Sequence, residues 1–205
     1  MSTDNSPRRP RILAVSGSLR AGSHNTQALR AVAALLVEDA TVTVWDGLAA
    51  VPPFSEDDEH LIAGAVESLR AALRDADHVL IATPEYNASI PGQLKNALDW
   101  ASRPFGDAAL TGKAVTVISA SPSTYGAQWA QDHLRTVLST AGAHVTDFSL
   151  AIPQAHTAFT DDDAAHRAEL RGRLTALADH LRRQARPECG QPARDQGAPR
   201  RRLNR

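Results

Sequence analysis

Apolar and polar positions change period several times along this chain, and each change marks an element. Ile12-Leu13-Ala14-Val15 is an unbroken apolar run, the pattern of a strand covered on both faces. It predicts a first strand over Arg11–Ser16. Ala28, Leu29, Val32, Leu35 and Leu36 then recur at helical spacing and predict a helix over Thr26–Asp39. Thr41-Val42-Thr43-Val44-Trp45 alternates and is β-branched, which predicts a second strand. Leu61, Ile62, Ala65, Leu69, Ala72 and Leu73 place one apolar face on a helix over Glu59–Asp75. His78–Thr83 is again nearly continuous in apolar character and predicts a third strand. A helix over Gly92–Ser102 follows, then a fourth strand over Ala114–Ser119 and a helix over Gly126–Thr140, which Gly142 stops. His144–Leu150 predicts a fifth strand. Leu170, Leu174, Leu177 and Leu181 form the stripe of a last helix over Asp162–Gln184.

Strands alternating with helices in this way imply an α/β fold, a parallel sheet with helices on both faces. Ligands on such sheets bind outside the carboxyl ends of the strands, where the strand order reverses. The loops after the first, third and fourth strands all belong to that end and should converge. One domain is expected over 11–185. Residues 1–10 are a polar lead-in expected to be flexible. Residues 186–205 are rich in Arg and Pro with Leu203 as the one large apolar residue, so a disordered tail is expected there.

Composition mainly excludes. The net charge is −1, so no whole-molecule field recruits nucleic acid or an anionic membrane. No apolar run approaches the ~20 residues of a membrane span. Cys189 is the sole cysteine and the eight histidines are scattered, which gives neither a disulfide nor metal-ligand spacing. No Ser–His–acid set stands out. The N-terminus lacks the apolar core of a secretory signal, and a cytoplasmic location is expected.

The candidate chemistry sits in the loops. Ser16-Gly17-Ser18-Leu19-Arg20-Ala21-Gly22-Ser23-His24-Asn25-Thr26 joins a strand to a helix. Its hydroxyls, its amide, Arg20 and the unpaired N–H groups of a helix start suit an oxyanion such as phosphate. It lacks Gly-x-Gly-x-x-Gly and Gly-Lys-[Ser/Thr], so it is neither a dinucleotide fingerprint nor the phosphate loop of nucleotide hydrolases. In the second loop, Pro84-Glu85-Tyr86-Asn87, a ring and an amide suit a planar polar ligand, although Glu85 could equally hydrogen-bond loop backbone. The third loop, Ser121-Pro122-Ser123-Thr124-Tyr125, is also hydroxyl-rich.

The first of these loops, together with Pro84-Glu85-Tyr86-Asn87-x-x-x-Pro91-Gly92-x-Leu94-Lys95-Asn96-Ala97-x-Asp99-Trp100, resembles the NADPH-dependent FMN reductase family over about residues 10–184. The resemblance implies a flavodoxin-like three-layer fold with strand order 2-1-3-4-5. It implies FMN, with its phosphate held at Ser16, Ser18, Arg20, Ser23, Asn25 and Thr26, and its ring bordered by Pro84, Glu85, Tyr86 and Asn87. Ser119 and Ser121 are weaker candidates, because the turn after the fourth strand is Gly-rich in many members and is not here. The family also implies NADPH or NADH as electron donor, and a quinone, flavin or similar small molecule as acceptor. No residue is expected to act as catalytic acid or base, since the hydride chemistry belongs to the flavin. A homodimer or homotetramer is implied, with Lys95, Asp99 and Trp100 as contact candidates. Two alternatives stay open: a flavodoxin-type electron carrier, against which the near-neutral charge counts, and a specialised reductase of one aromatic or quinone intermediate.

Overall fold

A computed structural model describes residues 8–60, 64–159 and 164–185. Five strands form one parallel sheet: β1 (Arg11–Ser16), β2 (Thr41–Trp45), β3 (His78–Thr83), β4 (Ala114–Ala120) and β5 (His144–Ile152). Their order is β2-β1-β3-β4-β5, the flavodoxin-like arrangement that the family resemblance implies. Leu13 pairs with Thr43 on one side and Val79 on the other, so β1 is central and the order reverses between β1 and β3. The helices are α1 (His24–Leu35), α2 (Gly64–Asp75), α3 (Gly92–Ala101), α4 (Gln128–Thr140), a short α5 (Ala155–Ala158) and α6 (Ala164–Gln184).

Successive strand residues point to opposite faces, and that alternation builds two cores. Leu13, Val15, Val79, Ile81, Val115 and Val117 pack against α2, α3 and α4. Ile12, Ala14, Leu80, Ala82 and Ile118 pack against α1 and α6. Fully burying one such aliphatic side chain stabilises by about 1.5–3 kcal/mol, which is why the strands read as unbroken apolar runs.

Several boundaries differ from the sequence expectation. α1 begins at His24, because the Ser23 hydroxyl accepts from Thr26 N and caps the helix. It ends at Leu35, where Asp39 N and Ala40 N both turn back to Leu36 O before β2. α4 begins at Gln128 and not at Gly126, because Gly126 and Ala127 both take left-handed conformations, with φ of 62° and 65°. β5 runs two residues past Leu150. A register shift opens between Val115 and Val117, and Arg135 donates to Thr146 O and Phe148 O alongside it. The expected starts of α2 and α6 fall partly on residues outside those described, as does the tail. At the end of the lead-in, Arg8 pairs with Asp77 at 2.6 Å, and Arg9 donates to Val37 O and Glu38 O. Trp100 is corrected as a surface contact. It is 1% exposed, donates to Pro52 O at 2.9 Å and stacks edge-on with Phe54.

Candidate functional site

The β1–α1 loop leaves the sheet beside β3. Gly17 N donates to Ala82 O at 2.8 Å, and a Cβ on Gly17 would stand 2.8 Å from Leu94 Cδ2, closer than packed carbons tolerate. With glycine the loop lies this close to β3 and α3 without displacing the packed Leu94 methyl. A web of short bonds then shapes it. Ser16 Oγ accepts from Thr26 Oγ1 at 2.9 Å and from Ser18 N at 3.4 Å, and Ser18 Oγ accepts from Arg20 N. Ser23 takes up Thr26 N through its side chain and Gln27 N through its carbonyl. His24 and Asn25 N–H are the remaining donors of the first helical turn, and in this geometry they extend out of the helix start.

The first loop is locked to the third by one amide. Asn25 Nδ2 donates to Ala120 O, and Asn25 Oδ1 accepts from Ala120 N, both at 2.9 Å. Asn25 is 2% exposed. Its side chain therefore joins β1–α1 to the end of β4, while its backbone stays at the helix start.

The second loop is joined to α4. Glu85 Oε2 accepts from Ala130 N at 3.2 Å, a carboxylate on the first turn of a helix that has no side-chain cap of its own. The role open to Glu85 from its sequence was a bond to loop backbone, and its partner here is instead the N–H of a helical residue. Tyr86 and Ser89 exchange both backbone bonds around Asn87 and Ala88, with φ of 53° and 59°. That two-residue turn leaves the Tyr86 ring exposed. Ser89 Oγ meets His133 Nδ1 at 2.7 Å, a second tie to α4.

Between the three loops lies a cleft of about 200 Å³. From the expected set, Ser18, Arg20, Ser23, Asn25, Pro84, Glu85, Tyr86 and Ser121 line it. Four others do not. Ser16 and Thr26 are turned on each other beneath the loop. Asn87 sits at the tip of its turn, where the left-handed conformation is the reason for an Asn. Ser119 is fully buried, donates to Gly126 O and accepts from Gln131 Nε2, so its hydroxyl holds the third loop from below. His24, Ala120 and Pro122 join the lining. Pro122 lies within the third loop as read from the sequence, and His24 within the first, where its exposure to the cleft depends on where α1 starts.

The donors suit an anion, and Pro84, Tyr86 and Pro122 beside them suit a flat ring attached to it. Arg20 Nη2 rests on Gly22 O at 2.9 Å, within reach of the helix start. Among the described residues Glu85 is the only carboxylate lining the cleft, and it is engaged by α4. A larger groove of about 540 Å³ lies between α3 and α4. Its wall includes Leu98, Val137 and Ala141 but none of these converging donors, so the chemistry favours the smaller cleft. Among the described residues no His, Cys, Asp and Glu cluster could hold a metal ion.

A doubly wound parallel sheet of this order, with a phosphate-type cradle at its β1/β3 switch point, defines a flavodoxin-like mononucleotide-binding protein. The profile of the family described as NADPH-dependent FMN reductase matches residues 10–157, and the chain belongs to that family. It is 41% identical over 135 residues to an NAD(P)H-dependent FMN reductase of Pseudomonas aeruginosa, covering 65% of this chain and 72% of that one. It is 42% identical over 127 residues to a 2-hydroxy-1,4-benzoquinone reductase of a Burkholderia species, covering 62% and 69%. The solved structure of FerB, a flavoenzyme NAD(P)H:(acceptor) oxidoreductase of Paracoccus denitrificans, superposes with a TM-score of 0.74 at 30% identity, covering 85% of this chain and 98% of that one.

Proposed function

We propose that the chain is an FMN-dependent oxidoreductase, in which NADPH or NADH is the donor and a quinone, flavin or similar small molecule the acceptor. The observation that carries this reading is the convergence of Arg20, Ser18 and the α1 start on one cleft, opposite the exposed ring of Tyr86. In a member of this family, such a cradle fits a terminal phosphate and such an edge fits a flat ring.

Ser18, Arg20, Ser23 and the His24 and Asn25 N–H groups would hold the phosphate. Each N–H is already oriented by the capped helix, so little ordering is lost on binding. Pro84 and Tyr86 would border the ring, and Ser121 would face it from the third loop. Bound FMN supplies the two-electron chemistry: a hydride in from the reduced nicotinamide, and a hydride out to a quinone that takes its second proton from solvent. This chain's own residues bind and orient, and the Asn25 and Glu85 ties keep the three loops in register.

The test is flavin content and turnover. The purified chain supplemented with FMN should hold one FMN per chain and oxidise NAD(P)H when a quinone is added. Absence of both would overturn the reading. Rapid flavin bleaching by NADPH alone in a stopped-flow cell separates a reductase from a carrier that needs a protein donor.

A homodimer in the cytoplasm is the arrangement we infer for the working protein. Phe105, 94% exposed, borders the groove between α3 and α4, whose wall mixes Leu98, Val137 and Ala141 with charged side chains. A two-fold interface needs one patch to supply both a knob and a hole. Lys95 and Asp99, paired at 2.6 Å, line the same groove. No helix among the described residues is long and apolar enough to cross a membrane. Light scattering should return twice the chain mass, and half of that value for Phe105→Asp. A monomer for the unaltered chain would remove this inference.

A further inference from the structure

Tyr125 and Trp129 stand out among the surface side chains. They are 69% and 56% exposed, yet their rings stack on each other with centroids 5.7 Å apart and planes 26° apart. We infer that this pair is a shelf at the mouth of the cleft that selects planar acceptors of two or more fused rings. The inference rests on the reading that the cleft holds FMN.

The placement is built, not incidental. Gly126 and Ala127 take consecutive left-handed conformations, which is strained for alanine and persists only where its surroundings enforce it. That bend sets Tyr125 and Trp129 on one side of the entry to α4. Ser119 Oγ donates to Gly126 O from below, and Ser123 O accepts from Gln154 N at 3.1 Å. Ala130, next to Trp129, is the residue whose N–H is held by Glu85 of the cleft wall. The shelf is therefore fixed to the cleft by a residue that lines it.

Charge decides what the shelf takes. Residues 120–131 carry no charged side chain. The next two polar groups on α4 are Asp132, against Gln128 Nε2, and His133, against Ser89 Oγ. From the facing loop comes Glu85, already engaged. No Arg or Lys stands in this segment to meet the pyrophosphate of a pyridine nucleotide. A neutral, flat, apolar molecule loses nothing there, and it covers ring surface otherwise left in water. A one-ring quinone has little flat surface to set against the pair, whereas a fused second ring adds the area that two stacked aromatics can cover.

The experiment separates the two half-reactions of the FMN-loaded chain in a stopped-flow cell. For Tyr125→Ala and Trp129→Ala, the apparent dissociation constant for 1,4-naphthoquinone in flavin reoxidation should rise about 3–10-fold, the size of an aromatic contact. The constant for 1,4-benzoquinone should change less than about 2-fold on the same scale. Flavin reduction by NADPH should be unchanged, and Trp129→Phe should restore naphthoquinone. Equal effects on both quinones, or none, would overturn the shelf. So would a drop in molar mass on light scattering, which would make the pair a contact between copies. Should the unaltered chain hold no FMN, the functional reading falls while the shelf is still decided by fluorescence. Trp45 and Trp100 are buried and Trp129 is the exposed one of three tryptophans, so saturable quenching by 1,4-naphthoquinone that weakens in Tyr125→Ala supports the shelf, and no quenching, or quenching unchanged in Tyr125→Ala, refutes it.

Discussion

Two polar clusters sit on this sheet, near opposite ends of its strands. At the carboxyl end, the β1–α1 loop bonds to itself and to Ala120, and what is left over faces outward: Arg20, Ser18 and two backbone N–H groups. Towards the amino end, His78, Thr116, Thr146 and His180 are closed inward. His78 Nε2 meets Thr116 Oγ1 at 2.9 Å, and Thr116 Oγ1 lies 2.9 Å from Thr146 and 3.2 Å from His180 Nε2. His78 is fully buried and its Nδ1 has no partner. Both clusters use hydroxyls and histidine. Only the first has donors fixed in direction, unsatisfied and open to a ligand, which is what a binding site requires. The second is a polar patch within the core, and its consequence is for stability.

The largest effect expected comes from the residue that makes the first cluster rigid. Asn25→Ala leaves Ala120 N and O unpaired in a buried setting, and unfolding by urea should show a loss of about 2–4 kcal/mol. FMN affinity should fall with it, since the helix start would no longer be held against β4. Stability within 0.5 kcal/mol of the parent, on the order of an ordinary surface change, would mean the tie is incidental.

The second cluster should reveal itself through pH. Burial, aided by the neighbouring His180, lowers the His78 pKa from 6.5 to about 4, and burial also lowers that of His180. Between those values the unfolded chain binds the proton and the folded chain does not. Stability is therefore lost as pH falls below 6.5 and levels off below about 4, at up to about 1.4 kcal/mol per pH unit for His78. Denaturant midpoints measured from pH 7.5 to 4.5 should show that slope, and His78→Leu should flatten it. An unchanged slope in His78→Leu would place the acid sensitivity elsewhere.

Arg20→Ala tests the outward half of the comparison. A charge-assisted bond to phosphate contributes about 1.5–3 kcal/mol, so FMN affinity should fall about 10–150-fold. The urea midpoint measured without FMN should stay put, because the Arg20 guanidinium bonds Gly22 O of its own loop, and its backbone bonds to Ser18 and Ser23 survive in alanine. Together with Asn25→Ala, this separates holding the ligand from holding the loop. The smallest change is expected at Gly22, where an added Cβ meets nothing within 4 Å. Gly22→Ala should leave FMN affinity and stability within about 0.5 kcal/mol, whereas Gly17→Ala, facing Leu94, should cost about 1–3 kcal/mol in a melting experiment.

Much of this protein was legible before any coordinates. Apolar runs of four to six residues alternating with 3.6-period stripes dictate strand, helix and order along the chain, because burial on two faces leaves no other pattern. The motifs Gly17-Ser18-Leu19-Arg20 and Pro84-Glu85-Tyr86-Asn87 carried the family, and with it the strand order and the cofactor. Direction was not legible. Ser16, Thr26 and Ser119 have the same hydroxyl as Ser18 and Ser121, yet their partners are Thr26, Ser16, Gly126 and Gln131, and they turn away from the cleft. Asn25 finds its partner 95 residues along the chain. Trp100, a candidate for a contact between copies, is drawn inward by Pro52 and Phe54. Hydrogen-bond partners are set by which atoms the folded backbone brings within 3 Å of one another. The sequence determined the elements and the identity of the loops, and only the tertiary structure decided which of their groups remained free to hold something else.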